Sequence, residues 1–373
     1  MKRLTYLLGA GASANALPVV SGFNQRLEIF IDIINLIIKL DQFDKNAILN
    51  LHGILSEIKK HQTVDTYAKK LYLHQPLIHT NNEYCNLTRL ISAYFIFEQL
   101  KISPAYLNFD ATNPKPELQG LYEGVRQLHK HDKQNLDSLL NDLDARYDSF
   151  FASILTHDSA RNIVMPDEVN IISWNYDAQI EKAFMNYSKV GYDDALKQLN
   201  FLGASESEEY NPLKSGVIKL NGTAGFYKRD RTHGDLFDFS KHSVDNKSLE
   251  ILSNTLSPGS SEYETSLRFA WIENEISKKA IKAASSILSQ SDLVVVIGYS
   301  FPYFNRKVDR AIFQNVDVIN ESGYRNKSGR TKVHIQSPDD SINDVVNAFR
   351  SIKPHADVGI YTGKNQFLIP NEF

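Results

Sequence analysis

The sequence predicts an α/β fold, in which a doubly wound parallel sheet carries a largely helical insertion between its first and second strands. Three observations lead to this prediction: short apolar runs that suit covered strands, helical periods between them, and one long interval that holds helical periods alone. Strands that alternate with helices pack as a parallel sheet with helices on its faces. We therefore expect a core of residues 1–24 and 157–373 and a mostly helical insertion at 25–156.

Six segments have the composition of strands. They are rich in β-branched residues, and several are almost continuously apolar, which is the pattern of a strand covered on both faces of a parallel sheet. In chain order the predicted strands are Thr5–Leu8, Val169–Ser173, Val217–Leu220, Leu293–Ile297, Lys332–Gln336 and Val358–Tyr361.

Helical periods lie between these strands. In the clearest of them, Asn135–Thr156 and Ser266–Gln290, apolar residues recur on one face of a helix. Within the insertion, Gln25–Leu40 and Tyr84–Leu100 show the same period, and no strand is evident there. Three polar segments that contain proline are predicted to be loops: Ser103–Gln119, Ala204–Gly216 and Ser253–Thr265.

The bulk composition disfavours several classes of protein. Hydrophobic residues make up 42% of the 373 residues and charged residues 23%, which is an ordinary globular balance. The formal net charge of −3 gives no general attraction to nucleic acid or to anionic lipid. The longest apolar stretch, Leu27–Leu40, is interrupted by charged side chains, so no membrane span is predicted. Two basic clusters are interpreted as solvated loops rather than nucleic-acid contacts: Lys228, Arg229 and Arg231, and Arg325, Lys327, Arg330 and Lys332.

The single cysteine, Cys85, bears on both metal chemistry and compartment. One cysteine forms no internal disulfide and cannot build a zinc site from paired cysteines. We therefore predict no zinc and no other metal site. A reducing, cytoplasmic setting fits this cysteine usage best.

The first chemical motif directly follows the first predicted strand. Its residues Gly9, Ala10, Gly11, Ala12, Ser13 and Ala14 fit the pattern G-x-G-x-x-[G/A] of a Rossmann-like turn. Glycines permit the tight turn and let backbone N–H groups approach a pyrophosphate. The simpler alternative is a strand-to-helix turn without a ligand. A standard dinucleotide site also needs an acidic residue after a second strand about 20 positions on, whereas Glu28 and Asp32 lie in a helical period.

Three further motifs place polar residues where a predicted strand ends, which is the edge at which α/β proteins bind ligands. Asn175 and Asp177 follow the second strand, and the amide of Asn175 offers both a donor and an acceptor. Asp177 is open to two interpretations, a ligand contact or the N-cap of the next helix. Asn221 follows the third strand, and Gly298 and Ser300 follow the fourth.

These four motifs, in this order, resemble those of the sirtuin-like (SIR2-like) family, especially its bacterial antiphage-defence branch. The matching segments are GAGAS at Gly9–Ser13, WNYD at Trp174–Asp177, KLNG at Lys219–Gly222 and GYSFP at Gly298–Pro302. The resemblance spans the chain apart from the helical insertion. It implies that NAD is bound, with its pyrophosphate on Gly9–Ser13 and its nicotinamide ribose and the reacting water against Asn175. The adenosine side would contact Gly298 and Ser300.

The chain departs from the family in two places. Sirtuin deacylases carry a four-cysteine zinc module, which this sequence cannot build, so protein deacylation is not expected. The third motif of the family usually reads Lys-Leu-His-Gly, with the His as catalytic base, and Asn221 stands in its place. An Asn side chain takes up no proton at neutral pH. His233 is a candidate base on a nearby loop, although an isolated loop His is more often a surface residue.

The resemblance implies an NAD glycohydrolase, with NAD as substrate and Asn175, Asn221 and Asp177 as candidate catalytic residues. Such an enzyme would be the NAD-depleting effector of an antiphage defence system. It would act as a homo-oligomer or with a sensor or activator protein encoded nearby. The alternative is a nucleotide-binding or regulatory subunit, in which Asn221 marks a lost or altered activity.

Overall fold

The computed structural model describes residues 2–40, 50–61, 63–74, 81–99, 143–203, 210–228, 252, 254–257, 263–319 and 330–371. The chain forms two compact units. Unit 1 comprises Met1–Ser13, Asp144–Thr223 and Arg268–Phe373, and unit 2 comprises Ala14–Leu143 and Ala224–Leu267.

Several sequence-based expectations fall outside the described residues. They are the predicted loop Ser103–Gln119, the candidate base His233, and Arg229, Arg231, Arg325 and Lys327 of the basic clusters. Because 100–142 also lies outside them, the division of the chain into 1–24 with 157–373 and an insertion at 25–156 stays a prediction.

The described strands are, in chain order, β1 (Leu4–Leu8), β2 (Thr156–His157), β3 (Ile163–Val164), β4 (Val169–Ser173), β5 (Val217–Lys219), β6 (Gly222–Lys228), β7 (Tyr263–Leu267), β8 (Leu293–Ile297), β9 (Lys332–Gln336) and β10 (Val358–Tyr361). The described helices are α1 (Val20–Leu40), α2 (Leu51–Lys59), α3 (Val64–His74), α4 (Asn81–Gln99), α5 (Ala145–Ile154), α6 (Gln179–Ser188), α7 (Tyr192–Gln198), α8 (Glu275–Gln290), α9 (Arg306–Phe313) and α10 (Ile342–Arg350). Among these helices, none is both long and apolar enough to cross a bilayer.

Unit 1 is built on a six-stranded sheet with the strand order β10-β9-β8-β1-β4-β5. All neighbouring strands in it pair in parallel. Counted along the chain within this sheet, the order from β5 to β10 reads 3-2-1-4-5-6, the doubly wound order that reverses between β1 and β8. The predicted fold class is confirmed. All six predicted strands form this sheet, with β1 beginning at Leu4 and β5 ending at Lys219.

Apolar side chains cover both faces of the sheet in unit 1. Successive residues of a strand point to opposite faces. On one face, Leu7 of β1 joins a buried cluster that includes Leu288 of α8 and Phe349 of α10. On the other face, the ring of Tyr6 packs edge-on against Phe150 of α5, with centroids 4.8 Å apart. Each such side chain contributes about 1.5–3 kcal/mol by leaving water, which explains why the continuous apolar runs form the central strands.

The helix predicted at Ser266–Gln290 begins later than its apolar period indicates. In the structure, α8 begins at Glu275, and Ser266 still belongs to β7. The side chain of Asn274 accepts a hydrogen bond from the Ser277 N–H at 2.8 Å and caps the helix. Because a capped first turn satisfies N–H groups that otherwise lack a partner, Asn274 sets the boundary.

Unit 2 contains α1 to α4, β7 and most of β6. In it, α1 packs on α2 and α4, and α4 packs on β7. The ring of Phe23 lies edge-on to Tyr94 at 5.2 Å, beside a buried ion pair in which Arg26 Nε lies 3.0 Å from Glu98 Oε1. The pairing of β6 with β7 in a two-stranded sheet corrects the predicted loop Ser253–Thr265, whose last residues are strand. Such pairing depends on contacts that are distant in sequence.

Candidate functional site

The register of the sheet brings the four motifs to one edge. Leu8 at the end of β1 pairs with Ser173 of β4 and with Ile297 of β8, and Ser173 pairs with Lys219 of β5. These strands therefore end level with one another, and the residues after them emerge side by side. The edge includes the point between β1 and β8 where the strand order reverses, which is the usual ligand position in α/β sheets.

The Gly9–Ser13 turn packs directly against the loop after β8. The N–H of Gly9 donates to the carbonyl of Ile297 at 3.0 Å, and the N–H of Gly11 donates to the carbonyl of Gly298 at 2.9 Å. A Cβ at Gly11 would lie 2.7 Å from the Cα of Gly298, which itself has a φ of +64°. A side chain at either position would clash or strain the backbone, so the close approach requires glycine.

This packing decides which backbone donors of the turn face a ligand. The N–H groups of Gly9 and Gly11 bind the β8 loop, and the N–H of Ala12 donates to the carbonyl of Gly9 at 2.8 Å. Ala10 is exposed, and among the described residues no backbone carbonyl accepts from its N–H. The glycines therefore serve the contact between the two loops, and Ala10 is the exposed residue between them.

Asn175 ties the end of β4 to the turn. Its side-chain Nδ2 donates to the carbonyl of Gly9 at 3.0 Å and to Ser13 Oγ at 3.2 Å. Ser13 Oγ also lies 3.3 Å from the hydroxyl of Tyr147 on α5, a buried neighbour that the sequence did not indicate. Because both amide hydrogens of Asn175 are used by the protein, its amide oxygen is the group that can accept from a ligand.

Asp177 is buried at the start of α6. Its Oδ1 accepts from the Gln179 N–H at 3.1 Å, but the N-cap of α6 is Ala178, so Asp177 lies one residue before the cap position that the sequence suggested for it. Burial raises the pKa of the Asp177 carboxyl, and the nearby Lys219 and the hydrogen bonds from Gln179 and Ser13 oppose the rise. The described contacts of the Asp177 carboxylate are thus all with protein groups.

A buried ion pair joins β5 to α6 beside these residues. Lys219 Nζ lies 2.8 Å from Glu181 Oε1, and both side chains are 0% exposed. Lys219 Nζ also donates to the main-chain carbonyl of Asp177. Burial raises the pKa of the Glu181 carboxyl, and the Lys219 ammonium opposes that rise. Lys219 was part of a motif, but its pairing with Glu181 could not be predicted because the two are far apart in sequence.

Asn221, where the resemblance implies a His, holds two backbone segments together. Its Nδ2 donates to the carbonyl of Trp174 at 2.8 Å, and its Oδ1 accepts from the Ala270 N–H at 2.9 Å. Its own carbonyl accepts from the Arg268 N–H at 2.9 Å. The residue is 6% exposed. Main-chain groups therefore bind both ends of the Asn221 amide, so in the described structure this side chain stabilises the fold.

An aromatic and carboxylate cluster supports the fourth motif. The rings of Trp174 and Tyr299 stack with centroids 5.2 Å apart. The hydroxyl of Tyr299 donates to Asp309 Oδ1 at 2.9 Å and accepts from Asn305 Nδ2 at 3.2 Å. Burial raises the pKa of the Asp309 carboxyl to about 7, although the Tyr299 hydrogen bond and Arg306 oppose the rise. The second and fourth motifs are thus joined by ring contact as well as by the sheet.

Ser300 follows this cluster and is exposed, so its hydroxyl is accessible at the same edge. The structure therefore brings Asn175 and Gly298 each into contact with the Gly9–Ser13 turn, and it buries Asn175, Asp177 and Asn221. Within the described residues, no three His, Cys, Asp or Glu side chains are grouped so as to hold a metal ion.

Among known proteins, only solved structures match this chain. No family model and no curated protein matches the chain. A solved structure described as a basis for the mechanism and regulation of Sir2 enzymes is 12% identical, with a TM-score of 0.36, covering 98% of this chain and 87% of that one. A second, a Sir2 variant with a deacetylated p53 peptide and 3'-O-acetyl ADP-ribose, is 13% identical with a TM-score of 0.38, covering 97% and 88%. At this level of similarity, a functional assignment rests on the residues of the site.

Proposed function

We propose that this chain binds NAD at the carboxyl edge of its sheet and hydrolyses it to nicotinamide and ADP-ribose. The observation that carries the proposal is the contact of the Gly9–Ser13 turn with Gly298 at the point where the strand order reverses, with Asn175 bound to the same turn. This is the position in which doubly wound sheets receive the phosphates of a dinucleotide.

The proposed chemistry relies on charge stabilisation. Cleavage of the nicotinamide–ribose bond passes through an oxocarbenium-like species, and nicotinamide leaves as a neutral molecule. Asn175 would hold the ribose or the attacking water through its amide oxygen, since its amide nitrogen is bound to Gly9 and Ser13. Ser300 and the Ala10 N–H would contact the rest of the dinucleotide.

Asn221 supplies no base in this scheme, because an amide takes up no proton at neutral pH, and main-chain groups bind both ends of this one. General-base help is worth about 10²–10⁴-fold, so its absence slows hydrolysis but leaves the electrostatic contribution in place. A partner protein or oligomerisation would then complete or trigger the activity. We assign the chain, on its resemblance to the antiphage-defence branch, to the NAD-depleting effector of such a system, working in the cytoplasm.

The first test is nicotinamide release from NAD⁺, measured with the protein alone and with the protein encoded beside it. Wild type is expected to release nicotinamide in at least one of these conditions. Asn175→Ala should lower the rate about 100-fold, because an interaction that strengthens at the transition state is lost. The matched control Arg310→Gln changes an exposed residue of α9 and should leave the rate unchanged. Folded wild type that releases no nicotinamide in either condition contradicts hydrolysis.

A second candidate function is NAD binding without turnover, as a regulatory subunit of a defence complex. The two hydrogen bonds between the Asn221 side chain and the backbone favour this function, because a side chain used in this way stabilises the fold and transfers no proton. Calorimetry separates the two functions: tight NAD binding with no nicotinamide release supports the regulatory subunit. Asn221→His is the complementary probe, since a gain of release would show that the pocket is otherwise competent.

A further inference from the structure

Arg146 is fixed by the residue that caps its own helix. Asp144 is the N-cap of α5, and its Oδ1 accepts from the Arg146 N–H at 3.0 Å. The guanidinium binds the same carboxylate twice, from Nε to Oδ1 at 2.9 Å and from Nη2 to Oδ2 at 2.6 Å. The side chains are 11% and 0% exposed, respectively. A shielded, two-point pair of this kind sets the orientation of the guanidinium plane.

The same guanidinium holds the Gly9–Ser13 turn from its carbonyl side. Arg146 Nη2 donates to the carbonyl of Gly11 at 3.0 Å and to the carbonyl of Ala12 at 3.1 Å. The carbonyl of one residue and the N–H of the next lie in one peptide plane and point in opposite directions. Because Arg146 fixes the Ala12 carbonyl, it also fixes the direction of the Ser13 N–H.

The C-terminal segment covers the guanidinium. Arg146 Cζ lies 5.3 Å from the centroid of the Phe367 ring, within the range of a cation–π contact. The next residue, Leu368, is anchored to the sheet: its N–H donates to Gln336 Oε1 at 2.8 Å, and its carbonyl accepts from the Tyr6 hydroxyl at 3.1 Å. A segment that is remote in sequence therefore shields Arg146 from water.

We propose that Arg146 is a positioning residue for the nucleotide-binding turn, and that Phe367 keeps its guanidinium in place. This inference rests on the proposed NAD site at Gly9–Ser13. The hydrogen bonds described for Arg146 go to Asp144 and to the carbonyls of the turn, so it acts on the ligand through the turn. Loss of the guanidinium releases two peptide planes, which weakens NAD binding and leaves the chemistry of bound NAD unchanged.

The test uses the full chain and two independent measurements on Arg146→Gln. In hydrogen–deuterium exchange without ligand, the amides of Gly11 and Ala12 are protected by their bonds to Gly298 and Gly9. They should exchange about tenfold faster in the variant, because the charge-assisted contact of Arg146 Nη2 with the carbonyls of Gly11 and Ala12, which share one of its two hydrogens, is lost. The Kd or KM for NAD should rise about tenfold, with kcat changed by less than about twofold.

Conservative variants distinguish positioning from simple loss of stability. Phe367→Leu removes the ring over the guanidinium and should give a smaller effect of the same kind, whereas Phe367→Tyr keeps the ring and should behave as wild type. Arg146→Lys keeps the charge but loses the two-point contact of the guanidinium with Asp144. Its exchange rates and its NAD affinity should therefore fall between those of wild type and Arg146→Gln. Arg310→Gln, on an exposed position of α9, should change neither measurement.

The outcomes separate this inference from the proposed function. Unchanged exchange at Gly11 and Ala12 in folded Arg146→Gln overturns the inference, whether or not NAD binds. Unchanged NAD affinity in that variant also overturns it when wild type binds NAD. If wild type binds no NAD, the proposed function fails, and the exchange rates alone then decide whether Arg146 holds the turn.

Discussion

Asn221 illustrates how a single side chain takes on a structural role within the candidate site. A neutral amide presents a donor and an acceptor at a fixed distance. Asn221 uses both, on the carbonyl of Trp174 and on the N–H of Ala270. These main-chain groups lie in buried residues, where an unsatisfied polar group is costly. The side chain therefore stabilises the segment after β4 regardless of any ligand.

We expect Asn221→Ala to lower the free energy of unfolding by about 2–3 kcal/mol, because it leaves a buried carbonyl and a buried N–H without their partner. Urea denaturation followed by circular dichroism measures the change. Asn221→Asp is the control for the donor, since it keeps an acceptor for the Ala270 N–H but offers no hydrogen to Trp174. A loss below about 0.5 kcal/mol in Asn221→Ala would show that water replaces both bonds.

Asp309 gives the fold a dependence on pH. Its pKa is raised from 3.8 to about 7, chiefly by burial, so the folded protein binds this proton where the unfolded chain has released it. Stability from this group is therefore fully present below about pH 4 and is lost as pH rises to about 7. The slope is at most about 1.4 kcal/mol per pH unit within that window.

Asp309→Asn removes the titrating group and keeps an acceptor for the Tyr299 hydroxyl. Its free energy of unfolding, relative to wild type, should increase between about pH 4 and pH 7 and become constant above that range. Subtracting the variant isolates Asp309 from Asp177 and Glu181, whose pKa values burial also raises. Parallel pH profiles for the two proteins would contradict a raised pKa at Asp309.

At the scale of elements, β5 and α6 are joined by the ion pair of Lys219 and Glu181. A charge that is fully removed from water is tolerated only with its partner, because desolvation costs several kcal/mol. The pair therefore specifies how α6 sits against the sheet, with the Lys219 ammonium also binding the carbonyl of Asp177.

Lys219→Met should lower the free energy of unfolding by about 3–5 kcal/mol, since it leaves the Glu181 carboxylate buried without a counter-charge. Guanidinium chloride denaturation at pH 7 measures the loss. The double variant Lys219→Met with Glu181→Leu should recover most of it, because two apolar side chains of similar volume need no desolvation of charge. If the double variant is no more stable than the single one, the hydrogen bond to Asp177 rather than the ion pair holds α6.

Element boundaries were harder to predict than the elements themselves. The apolar period extends upstream from α8 into β7, and only the cap at Asn274 marks the true start of the helix. Asn is common in loops as well as at caps, so its role depends on whether its side chain meets the Ser277 N–H. For β7, pairing with β6 overrides a polar, proline-containing context that favoured a loop.

For the whole molecule, the class of fold and the six strands of the main sheet were predicted because buried parallel strands are nearly continuous apolar runs. The strand order was not predicted. It places β1 between β4 and β8, and these pairings join residues far apart in sequence that no local pattern specifies.

Some residues of the candidate site could also be predicted from the sequence, and others could not. Polar residues at strand ends could be predicted, because carboxyl ends of parallel strands share an edge. Arg146, Tyr147 and Asp309 could not, since each acts through a partner on a different element: the Gly9–Ser13 turn, Ser13 and Tyr299. The catalytic roles of Asn175, Asp177 and Asn221 stay predictions.

The contact between the Gly9–Ser13 turn and the β8 loop has a consequence for biosynthesis. The Gly9–Ser13 turn is synthesised long before the carbonyls of Ile297 and Gly298, which accept hydrogen bonds from Gly9 and Gly11. A chain that lacks β8 and the loop after it therefore lacks the acceptors that complete the turn. The proposed NAD site would therefore form only once β8 and the loop after it have been synthesised, and a fragment that ends before β8 would lack it.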